Sequence, residues 1–206
     1  MEKANKSIVI AAPSCCGKSN FVNLLLDEKL PEIEKNINLI DPSTWIYKDI
    51  WLHEKELINM TNLRSSKYIL HYTLPYPALK FIFRKGYDKK VRLSILQASH
   101  NITILTLFAE PSTLLKRIEL RRNRIFEKRA RNKRLILRSL KALRTLNHLN
   151  RIYSNPNKLI SVYEKWFEVS RNFNSHSHFL VNVDSAPDLL PLEIWPEIKN
   201  KWRTKI

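Results

Sequence analysis

Four apolar residues, Ile8-Val9-Ile10-Ala11, run directly into Ala12-Pro13-Ser14-Cys15-Cys16-Gly17-Lys18-Ser19, and behind that segment Phe21, Val22, Leu24 and Leu25 fall at helical spacing. A buried strand, a tight loop and an amphipathic helix in this succession constrain the fold more than any other feature of the chain. A loop this short aims the first backbone N–H groups of the helix at one spot, and the helix dipole makes that spot attractive to anions. The chain has only two glycines in 206 residues. One of them, Gly17, falls where backbone must pass close to an anion with no Cβ in the way.

Residues Ala12 to Ser19 resemble the phosphate loop of P-loop nucleoside triphosphate-binding proteins, with Ala12 where the commonest form of that loop has its first glycine. The resemblance implies ATP or another nucleoside triphosphate as ligand, with Mg²⁺. It implies phosphate contacts from Ser14, Cys15, Cys16, Gly17, Lys18, Ser19 and Asn20, with Lys18 reaching the β- and γ-phosphate oxygens and the Ser19 hydroxyl holding the metal.

At 206 residues, 44% of them hydrophobic and 27% charged, the chain is long enough for one sizeable core and is expected to be a single domain, 1–206. No stretch reaches the apolar length that spans a bilayer, and the start, Met1 to Lys6, leads into the first strand without a signal-peptide core, so a cytoplasmic protein without membrane contact is expected. The two cysteines, Cys15 and Cys16, are adjacent, which rules out an ordinary disulfide framework. They read as small loop side chains; the sharper reading is that the helix N-terminus and Lys18 lower a thiol pKa, so that oxidation would close the site.

The net charge of +17 is concentrated in one segment. Lys116 to Arg151 holds fourteen basic and two acidic residues, a net +12. Such a segment handles an anion or is a biased solvated face.

After the first strand and helix, Asn38 to Asp41 reads as a second strand stopped by Asp41-Pro42-Ser43, and Tyr47 to about Met60 as a helix. Lys67 to Thr73 reads as the third strand, followed by helices over about 77–85 and 88–99, and Ile102 to Phe108 as a fourth strand buried on both faces. Pro111 and Ser112 then give the start signal of a helix from Thr113 to about Arg122, and a longer one runs from about Lys133 to Arg151 with Ile136, Leu140, Leu143 and Leu146 as its apolar side. A helix over about Lys158–Ser170, a fifth strand over Phe179–Val183 and a closing helix over Glu193–Trp202 complete the reading. Alternating strands and helices imply an α/β fold with a mainly parallel sheet and a ligand at its carboxyl edge. This element order resembles the nucleotide and small-molecule kinase branch of the P-loop fold. That resemblance implies a three-layer fold with a five-stranded sheet of order 2-3-1-4-5, and a helical basic lid over about 117–151.

Phosphoryl transfer asks for a held triphosphate, a metal, positive charge on the transferring group and an acceptor in line. The lid resemblance assigns the charge to Arg117, Arg121, Arg122, Arg124, Arg129 and Arg131, with Arg121 and Arg122 as catalytic candidates and Arg117 at the cofactor. Asp41 is the first candidate to accept a hydroxyl proton, Asp49 the reserve, and Lys18 also counts as catalytic. His71-Tyr72-Thr73 stands where many P-loop enzymes end a strand with a metal-associated Asp. His71 and Arg84 are candidates for acceptor contact, whereas His176 and His178 lack partners for a metal site and the five tryptophans read as packing.

The expectation is therefore an ATP-dependent phosphotransferase acting on a small or anionic acceptor. One alternative is a sulfotransferase-like enzyme of related fold, which needs no magnesium. Another is a nucleotide-dependent protein that binds nucleic acid through its basic segment 116–151, although only Phe126 supplies an aromatic ring within the Arg121–Arg144 stripe.

Overall fold

The computed structural model describes residues 6–50, 67–74, 101–131, 136–173 and 175–204. Its centre is β1 (Lys6–Ala12), which pairs in parallel with β3 (Lys67–Thr73) on one side and β4 (Ile102–Phe108) on the other. Residues Ile8 to Ala12 are essentially inaccessible, as befits a strand covered on both faces. Outside these lie β2 (Trp45–Asp49), parallel to β3, and β5 (Ser175–Asn182), parallel to β4; β6 (Leu189–Pro191) closes the sheet antiparallel to β5. The sheet is six-stranded with the order β2-β3-β1-β4-β5-β6.

Two features of this sheet correct the sequence reading. A sixth strand is added, only three residues long and ending in Pro191, too short to show an alternating pattern. More consequentially, Asn38 to Asp41 is no strand. Asn38 and Asp41 both adopt left-handed backbone, at φ 52° and 49°, a conformation that Asn and Asp tolerate and that a strand does not hold. The second strand is instead Trp45–Asp49, within which a helix from Tyr47 had been expected to begin.

Among the described residues the helices are α1 (Lys18–Leu26), the short α2 (Pro31–Asn36) that the sequence reading missed, α3 (Pro111–Arg131), α4 (Ile136–Tyr153), α5 (Pro156–Ser170) and α6 (Trp195–Thr204). Where a break was expected near Arg122, α3 continues unbroken to Arg131, because after Pro111 the segment contains no proline or glycine to stop it. Asn155 caps α5 by accepting a hydrogen bond from the Lys158 backbone N–H, so the helix starts at Pro156, two residues earlier than expected. On α4 the buried stripe is Leu146, Leu149, Ile152 and Tyr153, while Leu140, expected in it, stays 40% exposed.

Helix α5 covers one face of the sheet. Trp166 stacks on Tyr72 at 5.0 Å and donates its indole N–H to Thr106 Oγ1 at 2.8 Å, and Tyr163 Oη donates to the Leu107 carbonyl at 3.1 Å. Tyr163 and Phe167 in turn meet Trp195 and Trp202 of α6, with ring centroids 5.1 to 5.7 Å apart. The expected helices over 77–85 and 88–99, the remainder of the Tyr47–Met60 segment, and Arg84 lie outside the described residues. Among the described residues no helix is long and apolar enough to cross a membrane.

Candidate phosphate-binding site

The loop between β1 and α1 turns on two left-handed residues, Cys15 at φ 66° and Gly17 at φ 98°. Gly17 is the N-cap of α1 and supplies no side-chain hydrogen bond to it, so the N–H groups of the first helical turn remain for solvent or an anion. A Cβ on Gly17 would meet Arg117 Nη1 at 3.5 Å, an ordinary contact; the requirement for glycine here comes from the backbone angle.

Lys18 is only 6% exposed. Its ammonium donates to the carbonyls of Ala12 and Pro13, each at 2.9 Å, and lies folded against the end of β1. Burial lowers its pKa to about 8, against the pull of the neighbouring thiols and of Asp49. The cysteines diverge. Cys15 is half-buried, with Arg121 Nη1 3.8 Å from its sulfur, whereas Cys16 is fully buried, and burial pushes its thiol up to about 12. That overturns a lowered thiol pKa at Cys16: desolvation outweighs Lys18 and Arg117 together.

A cleft of about 870 Å³ opens above the loop. Ser14, Cys15, Gly17, Lys18, Ser19 and Asn20 form its floor, Arg117, Arg121 and Arg124 of α3 one wall, and His71 and Thr73 of β3 another. The three arginines are spaced i, i+4, i+7, the face of one helix, a signal already present in the sequence. Arg117 is a strut: Nη1 donates to the Cys16 carbonyl at 2.8 Å and Nη2 to the Val183 carbonyl at 2.9 Å, with Asp184 3.8 Å away. The Tyr153 hydroxyl of α4 donates to the Ser14 carbonyl, so the α3–α4 hairpin holds the loop at two points. Sequence reasoning did not single out Tyr153, and a tyrosine at the end of an amphipathic helix carries no local sign of it.

Arg122 is not brought to the cleft; one step round the helix from Arg121, it donates to Asn147 of α4. The side chains of Arg129, Arg131 and His176 lie outside the described residues. Asp41 is a further correction. It is exposed, caps a 3₁₀ turn over Pro42–Thr44, accepts from the Ser43 hydroxyl and does not line the cleft. The carboxylate at the end of the real second strand is Asp49, whose Oδ2 lies 2.7 Å from His71 Nδ1. Parallel register sets Asp49, His71 and Ile10 in one row at the carboxyl edge of the sheet.

No protein-family model matches the chain, and no curated protein matches it. Among solved structures, a chain from the PezAT chromosomal toxin-antitoxin system of the human pathogen Streptococcus pneumoniae aligns over 98% of this chain and 87% of its own, at 10% identity and a TM-score of 0.43. A likeness this loose assigns no family.

Proposed function

We propose that the chain is a three-layer P-loop domain over 1–206, that it binds ATP or another nucleoside triphosphate at Ser14–Asn20, and that it transfers the γ-phosphate to a small or anionic acceptor. The observation that carries this reading is the buried Lys18 ammonium beside the uncapped start of α1, under a wall of arginines. Phosphate oxygens entering the loop would take over the donors that Lys18 now gives to Ala12 and Pro13. Backbone N–H groups around Gly17 would hold the chain of phosphates, and Arg121 and Arg124 would face the charge that builds on the transferring group. Arg117 would act on the site by fixing α3 to the loop.

Among the described residues no group of three or more His, Cys, Asp or Glu could hold a metal ion. The exposed Ser19 hydroxyl in the cleft fits magnesium, which keeps few protein ligands and takes the rest from substrate phosphates and water. When bound there, the metal would neutralise phosphate charge. The basic hairpin α3–α4 is the proposed lid, closing over the anionic acceptor; nucleic acid along 116–151 remains a proposed partner, and the cytoplasm the proposed compartment.

Calorimetric titration of ATP into wild type and Lys18→Ala, with and without Mg²⁺, tests the reading. Loss of charge-assisted hydrogen bonds should weaken binding about 10- to 100-fold with secondary structure retained. Unchanged affinity would overturn the site, and turnover that ignores magnesium would favour the sulfotransferase-like alternative.

A further inference from the structure

We infer that His71 is the proton acceptor of this cleft and Asp49 its positioning residue, so that the second substrate is a hydroxyl compound; this rests on the phosphotransferase reading above. Asp49 Oδ2 lies 2.7 Å from His71 Nδ1. A carboxylate only accepts, so Nδ1 carries the proton, and the lone pair of the imidazole is left at Nε2. Tyr47 Oη, 3.2 Å from Nδ1, holds the same edge of the ring. His71 is 8% exposed, lines the cleft, and its Nε2 is buried with no hydrogen-bond partner among the described residues. A buried acceptor left unmet is costly to the fold and calls for a donor. An acceptor hydroxyl lying in the cleft between Lys18 and His71 supplies one.

The step balances without a further reagent. The hydroxyl oxygen bonds to the γ-phosphorus, the bond from that phosphorus to the bridging oxygen breaks, and the nucleoside diphosphate leaves with the bonding pair. The hydroxyl proton passes to His71 Nε2, and the Asp49 carboxylate stabilises the resulting imidazolium until solvent takes the proton. Asp49 and Tyr47 of β2 meet the ring, and Cys15, Lys18 of α1, and Arg117, Arg121 and Arg124 of α3 are the other titratable or charged groups that line the cleft with it among the described residues.

Two readouts on the intact chain test this. Nitrogen-15 histidine spectra, with His71 assigned by its loss in His71→Asn, should show Nδ1 protonated, Nε2 bare, and a change when ATP and Mg²⁺ saturate the site. With ATP and water as the acceptor probe, phosphate release should fall about 10²- to 10⁴-fold in His71→Asn, while KM for ATP stays within about twofold. The asparagine amide keeps a donor for Asp49, so the fold is spared and only the base is lost. Wild-type release should decline on acidification, and that acid limb should vanish in the variant.

Wild-type turnover and an unchanged acid limb in His71→Asn would overturn the assignment, as would an Asp49→Asn variant that loses activity while His71→Asn keeps it. If wild type transfers nothing to water, an Nε2-protonated ring or a signal indifferent to ATP overturns it alone. ATP binding equally to wild type and His71→Asn with equal turnover defeats the pair and leaves the nucleotide site standing; ATP binding to neither defeats both.

Discussion

Acidification should destabilise this protein through one half-buried imidazole, that of His178 on β5. Thr106 Oγ1 accepts the indole N–H of Trp166 at 2.8 Å, so its own proton is free to go to His178 Nε2, also at 2.8 Å. That bond requires a neutral ring, and the edges of Trp166 and Phe167 close around it. Burial lowers the His178 pKa from 6.5 to about 4. Between those values the unfolded chain binds more protons than the folded one, so stability is complete above about pH 6.5 and drains as the pH falls towards 4. A shift of this size corresponds to about 2 kcal/mol lost by pH 5 and about 3 kcal/mol by pH 4. Urea unfolding at pH 7, 6 and 5 should show wild type losing about 2 kcal/mol more than His178→Gln, which keeps an oxygen for Thr106 but does not titrate. Parallel pH curves for the two proteins would refute the linkage.

Gly17→Ala should cost about 1–2 kcal/mol in urea unfolding from its left-handed backbone alone, since the added methyl meets Arg117 only at 3.5 Å, and should weaken ATP binding. Arg117→Ala leaves the Cys16 and Val183 carbonyls without their charged donor and should lower stability by about 1.5–3 kcal/mol in the same assay. Arg121→Ala, at an exposed position, should change stability by less than about 0.5 kcal/mol yet reduce phosphate release from ATP, the reverse of a strut. Trp202→Ala, at 1% exposure among Tyr163, Trp195 and Phe108, should cost about 3–5 kcal/mol by chemical denaturation.

The loop between β1 and α1 was legible because each of its requirements is local. An apolar strand, a glycine in a glycine-poor chain and a helical apolar stripe follow one another within twenty residues, although the left-handed angle that requires glycine at position 17 was not part of the sequence reading. The strands over Lys67–Thr73 and Ile102–Phe108 were equally plain, since continuous apolar runs announce strands buried on both faces. The second strand was not. Asn38 to Asp41 has the apolar centre and turn-forming exit of a short strand, and nothing in its composition reveals that Asn38 and Asp41 adopt left-handed angles. That error put Asp41 in place of Asp49 at the end of the second strand.

The sequence by itself determined the succession of β1, a short loop and α1, because a loop entering a helix is set by a few bonded neighbours. Only the tertiary structure decided which side chains stand opposite. Arg121 reaches the cleft while Arg122 turns to Asn147, a difference set by the rotation of α3 against α4. His71 acquires Asp49 as its partner through the register of β2 on β3, twenty-two residues apart in the chain and neighbours in the sheet. Helix rotation and strand register follow from packing across the whole core, and no single stretch of residues encodes them.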